Sequence, residues 1–543
     1  MEKKGIRIVF LAAIALSLLG LACAEDGSHN AYNQTDDWQL EPSGLAASTV
    51  SGASNGQTAQ QKNRKPSDLT AAAVSSTQVN LSWQDNSYEE LGFVVERRIG
   101  GRGKYLEVGV VDANSTTFSD VNLTPNTMYS YRVYAFTERY RSGYSNVASV
   151  TTPVPGWVTY GSNPISESVI RHPAPLALDP DDRPVVAWTT TNKDIYLKAW
   201  DGDTWGELGG SASGSGISTS SGNWGDVALA VDSSGRPLVA WATGAHDIYL
   251  KKWDGSSWNE IGGSATGNGI SYGHDYGANL QPVLALDSHD NPVVAWEYDC
   301  WHTYLRKFNG AYWEGVINSD VGRGVFGSSH GCSYPWGRAL ALDANDVPYL
   351  ATDFMIAPSY TFHAYLKRAN EVLWTWEELD GSATGLGISG EAPQLNWLLV
   401  DMALDSNGYP CVTWMSQVTG NSEIYLKCWD GVEWYEVGGS ATQGGISNSG
   451  GSWCPSIAID DSDRIFVAWR GFVGNKNNIY LRFWDGYAWQ ELGGSASEGG
   501  VSNSENYYAL YPSLALDSRG NPVVSWIEGS WQNFKVHVKR WQP

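Results

Sequence analysis

Beyond residue 65 the chain alternates apolar and polar positions in short runs separated by Gly, Asp, Asn and Ser. Alternation with a period of two turns one side of each run inward and the other to water, which predicts half-buried strands. One string recurs. In its last copy, residues 510–526, it reads LYPSLALDSRGNPVVSW: an apolar run, a turn, and a second run opening on Pro, which together predict a β-hairpin. The recurring Asp falls at Asp179, Asp232, Asp287, Asp343, Asp405, Asp460 and Asp517, at spacings of 53, 55, 56, 62, 55 and 57 residues. A near-constant period of that size predicts a repeat architecture. In such a turn Asp and Ser bond nearby backbone, Gly or Asn takes the left-handed conformation, and Pro stands where a missing N–H costs least. The recurring Asp is therefore read as scaffold rather than as metal ligand or catalyst.

Each hairpin is followed by a second, typified by DIYLKKWDGSSWNEIGGSATGNGIS (residues 247–271), whose two alternating runs flank a DG turn. Four antiparallel strands per repeat of about 55 residues predict the blade of a β-propeller. The strand order resembles that of NHL-type and WD-repeat propellers, without either family's signature residues. The seventh copy stops after a third strand, KVHVKRW, while residues 156–162, GWVTYGS, align with the fourth strands of the others. The expectation is an all-β chain with a seven-bladed propeller over residues 155–543, closed by this N-terminal strand so that no edge is left exposed.

Ahead of the repeats, PSDLTAAAVSSTQVNLSW, GFVVERRIGG, TTFSDVNLTPNTMYSYRVYAF and SNVASVTTP span residues 66–153 and resemble a fibronectin type III domain. The resemblance implies Trp83 as the core Trp of the second strand. It also implies Leu123, Pro125 and Tyr129 as a tyrosine corner, and a role as spacer or binding module. Residues 25–65 are rich in Ser, Gly, Asn, Gln, Thr and Ala and read as a flexible tether. Residues 1–24, with Lys3, Lys4 and Arg7 before IVFLAAIALSLLGLA, read as an export signal. Two processing sites compete. Cys23 after LGLA resembles a lipidated lipoprotein Cys, although Gly20 stands where Leu is usual, while Ala22 and Ala24 offer ordinary release. The lipoprotein reading is preferred, because a Cys directly after the apolar run and before a polar tether is otherwise hard to explain.

Composition narrows the partners. A net charge of −23 repels phosphate backbones and anionic lipid surfaces, so nucleic acid is excluded and a membrane is met only through an N-terminal lipid. An exported, cell-envelope or secreted monomer is expected.

Candidate chemistry lies where the repeats differ. An aromatic precedes the next repeat's first strand at Trp224, Tyr276, Trp336, Trp397, Trp453 and Tyr508, a set able to stack on sugars or hold a peptide, or simply to cap the core. The strongest break in symmetry runs from about residue 298 to 376, where WDG becomes FNG at Phe308–Gly310 and the loops gain His302, His330, Cys300 and Cys332. In an exported chain Cys300 and Cys332 are candidates for a disulfide rather than a metal site, and Cys411 and Cys428 are a second candidate pair. The Asp clusters at 179–182 and 460–463 lack the ligand spacing of a calcium loop. A sialidase Asp-box is resembled only loosely, and no catalytic residues are carried over from it. No motif calls for a metal or cofactor. The reading is a noncatalytic extracytoplasmic protein whose propeller loop face binds carbohydrate or a protein. The alternatives are a carbohydrate-active hydrolase or lyase with its site at the channel mouth, and a structural surface component.

Overall fold

The computed structural model describes residues 64–543 apart from 168, 170–171, 219–222, 224, 273–278, 299–301, 327–337, 357–360, 391–398, 418–420, 474–475, 505–507 and 531–532. The expected signal segment, Cys23 and nearly all of the tether lie outside the described residues. Those described are β throughout, with almost no helix. No helix among them is long and apolar enough to cross a membrane.

Between Ser67 and Thr151 two sheets face each other. Ser67–Ser75, Gln78–Gln84 and Thr117–Asp120 form one; Leu106–Asp112, Gly92–Ile99, Met128–Phe136 and Ala148–Thr151, in that lateral order, form the other. Alternation in QVNLSWQ sends Val79, Leu81 and Trp83 inward, and the Trp83 ring lies 5.7 Å from that of Phe93. The Tyr129 hydroxyl accepts the Thr124 N–H at 2.8 Å, fixing the chain as it crosses between sheets.

From Leu176 onward four-stranded antiparallel sheets recur. In the second of them Val227–Val231, Pro237–Ala242, Ile248–Trp253 and Trp258–Asn259 pair in chain order. The seventh has three strands of its own, Tyr508–Leu516, Pro522–Ser530 and Asn533–Gln542. Gly156–Thr159 takes the fourth place, running antiparallel to the last from Gly156↔Gln542 to Thr159↔Lys539. The first strands of successive repeats pack side by side, and Tyr508–Leu516 packs against Leu176–Leu178, so the series of contacts returns to its start.

The second strands carry the core, and every residue of Pro237–Ala242 is buried. Trp188, Trp241, Trp296, Trp414, Trp469 and Trp526 are buried between neighbouring sheets, each against a third-strand ring. Burying a ring of that size contributes roughly 2–3 kcal/mol. The Trp residues ending the third strands differ from that pattern. Trp200, Trp253, Trp484 and Trp541 are half-buried at the rim, 5.6–5.8 Å from Trp205, Trp258, Trp489 and Trp157. A Gly of the preceding repeat makes room for each: a Cβ on Gly493, which sits at φ 55, would lie 2.7 Å from the Trp541 ring.

Three sets of polar bonds tie each repeat to the one before it. Every fourth-strand indole N–H donates to a carbonyl of the preceding repeat, from Trp205 to Tyr160 around to Trp157 to Leu492. Every repeat also sends a third-strand Lys or Arg to such a carbonyl, from Lys198 to Ile165 around to Lys539 to Val501. The third set lies in the turns. The backbone N–H and hydroxyl of Ser233, Ser288, Ser406 and Ser518, each one residue after the recurring Asp, donate to Asp290, Asp346, Asp463 and Asp182, each three residues after the Asp of the following repeat. Where that third position is Gly235, Gly408 or Gly520, the preceding repeat has Pro180, Ala344 or Asp461 in place of Ser. This third position has φ between 58 and 77° in all seven turns. The left-handed residue is thus Gly or Asp rather than the expected Gly or Asn, because an Asp there also answers its neighbour's Ser.

Candidate functional site

The sites expected from sequence lie at the ends of the repeats that carry the long connections. Trp224, Tyr276, Trp336, Trp397, His330, Cys300 and Cys332 fall outside the described residues; Trp453, Tyr508 and His302 fall inside.

Trp453 and Tyr508 stand near the starts of the sixth and seventh first strands. The Arg470 guanidinium lies over the Trp453 ring at 4.9 Å, and its Nε donates to Asn477 Oδ1 at 2.7 Å. Asn477 in turn is the residue that pairs with Tyr508, in the single parallel bridge between the two repeats. Tyr508 is 42% exposed, and Phe472 and Val473 beside this edge are 39% and 49% exposed. Two aromatics, a guanidinium and a side-chain amide thus form one continuous edge across adjacent repeats. That combination suits a ligand with apolar faces and hydroxyl rims.

The connections leading to this edge are held by residues that sequence reading did not single out. Buried Glu423 accepts the Ser447 hydroxyl and the Ser449 and Gly450 N–H groups, ordering the approach to Trp453. One repeat later Asn478 accepts the Ser502 hydroxyl and the Ser504 N–H on the approach to Tyr508. The available signal is the polar residue two before the third-strand Tyr in EIYL and NIYL, which differs from the Asp at the same place in the first two copies.

His302 stacks with Tyr304 at 6.1 Å and lies 6.2 Å from Tyr298, which itself stacks on Tyr304 at 5.2 Å. Across the same sheet Glu297 faces the fourth repeat. There Thr352 replaces the usual second-strand Trp and leaves room for Arg338, whose side chain lies 3.9 Å from Glu297 and donates to the Gln281 carbonyl. Burial pulls the Arg338 guanidinium down, against the attraction of Glu297 and Asp353. Nearby, His172 Nδ1 and Asp226 Oδ1 are 3.0 Å apart at the starts of the first two repeats.

Four equivalent positions meet at one small cavity. Pro173, Leu399, Cys454 and Tyr511, each six residues before its own repeat's Asp, line about 100 Å³ together with Val400, Pro455 and Pro512. Asp401, next to Val400, accepts the Met402 N–H and, from the neighbouring repeat, the Ile457 N–H at 3.0 Å. Burial outweighs these bonds and pushes its carboxyl up to about 6.

Cys411 and Cys428 are directly opposite on neighbouring strands and form a disulfide. The acidic clusters are occupied by their own turns: Asp179 accepts the Asp181 and Arg183 N–H groups and the Arg183 side chain. The GGSA segments are structural, since buried Ser264 donates to Leu250 and accepts from Ile261, as its counterparts do elsewhere.

Residues 64–151 match the fibronectin type III domain family. Such domains are generally binding or structural modules. Solved structures similar to this part include the FN5 domain of Drosophila Lar, 26% identical, covering 17% of this chain and 98% of that one with a TM-score of 0.15. An Fn3-like protein from Clostridium thermocellum is 23% identical, covering 17% and 96% with a TM-score of 0.16. A myokine structure is 18% identical, covering 17% and 99% with the same score.

Proposed function

We propose that the seven sheets are the blades of a propeller closed by residues 156–159. The chain is then an exported, noncatalytic binding protein whose long-connection edge takes a carbohydrate or a protein ligand. Closure is supported by the return of the inner-strand contacts to the first repeat, by the Ser518 to Asp182 bonds, and by the meeting of four equivalent positions at one cavity. The observation that carries the binding role is the edge of Trp453, Arg470 and Tyr508, which is partly exposed and joined across two blades through buried Asn477. A glycan array on the purified protein, with a reducing-sugar release assay in parallel, is the test. Binding without release is expected, and Trp453→Ala with Tyr508→Ala is expected to lower affinity at least about tenfold, a loss of about 1.4 kcal/mol. Retained binding with the fold intact removes the edge from the proposal.

One observation favours the carbohydrate-active alternative. His172 with Asp226, and Glu297 with Arg338, gather titratable groups around the first four blades. Sugar release lost in Asp226→Asn and retained in Trp453→Ala would establish that reading instead.

A further inference from the structure

The sandwich and the seventh repeat enclose a cleft of about 210 Å³. Val74, Ser75 and Gln78 line it from the first hairpin of the sandwich, and Asp517, Arg519, Asn521, Arg540, Trp541, Gln542 and Pro543 from the repeat. Its two walls are held together. The Ser76 N–H donates to the Pro543 carbonyl at 2.6 Å, and the last sandwich strand ends at Thr151, with only four residues between it and Gly156–Thr159 in the seventh sheet. Pro153 and Pro155 stiffen that link, and Thr152 is fully buried with its hydroxyl bonded to Thr124.

The charges in the cleft are unusual for this chain, in which 58 acidic residues face 35 basic ones. Several arginines of the repeats pair with a carboxylate, as Arg183, Arg306 and Arg464 do. Among the described residues neither Arg519 nor Arg540 forms an ion pair. Asp517, the one acid of the cleft, is committed to its own turn, accepting the Arg519 and Asn521 N–H groups and the Asn521 amide. Arg519 reaches only the Val74 carbonyl, at 3.4 Å, and Arg540 lies over the Tyr160 ring at 5.1 Å. Two guanidinium groups without an ion-pair partner therefore line a cavity together with Gln78, Asn521, Gln542 and Trp541, the Gln78 and Asn521 amides already donating to Asn80 and Asp517.

We propose that this cleft is a binding site for a small carboxylate-bearing ligand of sugar size, the class of a hexuronate. Guanidinium groups take a carboxylate in bidentate fashion, amides answer hydroxyls, and the volume holds one ring rather than a chain. The site is separate from the Trp453 and Tyr508 edge and does not depend on it.

Calorimetric titration of the full chain with sodium D-glucuronate, and with D-glucose as the neutral control, tests this. Glucuronate is expected to bind at least about tenfold more tightly than glucose, less so as salt is added. Arg519→Ala with Arg540→Ala is expected to remove that preference, while Arg236→Ala, at an exposed turn outside the cleft, leaves it unchanged. If the double alanine variant does not fold, Arg540→Gln alone is expected to weaken glucuronate and spare the fold, judged by circular dichroism. Equal affinity for the two sugars, a preference that survives loss of the arginines, or a preference abolished by Arg236→Ala would each overturn the proposal.

Discussion

Asp182 and Ser518 are 336 residues apart in the chain and share two hydrogen bonds. Because both residues are exposed, their contribution is modest, about 1 kcal/mol. Ser518→Ala and Asp182→Gly are each expected to lower stability by about that much, and the double variant by less than the sum, since each single change removes the same bonds. Urea denaturation of the three variants measures the coupling. Asp290, which accepts the same bonds from Ser233, is held below the usual carboxylate range by them. Its contribution is therefore present above the unfolded-state pKa and lost as pH falls through the lower folded value. Asp401 has the opposite sign. With a folded pKa of about 6 against 3.8, its favourable term is complete below about pH 4 and lost as pH rises to 6. Asp401→Asn is expected to flatten the pH dependence of stability across that window, as denaturation at pH 4.5 and pH 7 would reveal. The recurring Asp was legible as a turn residue because its partners lie two and four residues away. The Ser to Asp bonds were not, because donor and acceptor belong to different copies and no local pattern links them. Glu423 and Asn478 escaped for the same reason: the backbone groups they hold lie 24–27 residues further on.

At the scale of elements, the hairpin repeat follows from alternation and turn chemistry, the displaced strand at Trp157 from its alignment with the fourth strands of the other copies, and the sandwich from its resemblance to a fibronectin type III domain. The connections do not, since their lengths and residues differ between copies and their shape depends on side chains from neighbouring sheets. Gly156–Thr159 contributes a short ladder, the Trp157 to Trp541 contact and the indole bond to Leu492. Trp157→Ala is expected to cost about 3 kcal/mol and to lower the thermal midpoint by several degrees in calorimetry. An unchanged midpoint would leave the strand without a closing role. The Cys411 to Cys428 disulfide spans 17 residues on paired strands. Replacing both with Ala is expected to cost about 3 kcal/mol, measured by urea unfolding against the oxidised parent.

For the whole molecule, the proposed ring requires that a fourth strand fill the seventh sheet, and Gly156–Thr159 does so from the start of the repeats. Moving residues 155–163 from the start of the repeats to a position after Pro543, joined by a short Gly and Ser linker, is expected to keep stability within about 1 kcal/mol of the parent repeats. Deleting them is expected to lower it and to favour association through the bared edge. The Ser and Asp positions of the turns add a rule about ancestry. The first, fourth and sixth repeats offer only an acceptor, the second, fifth and seventh only a donor, and the third both. An acceptor repeat followed by a donor repeat can therefore be copied, lost or transplanted as a pair while its neighbours still find their partners; of the single repeats only the third, which offers both, can be exchanged in that way. The turns thus divide the series into three exchangeable pairs and one exchangeable single, the third repeat.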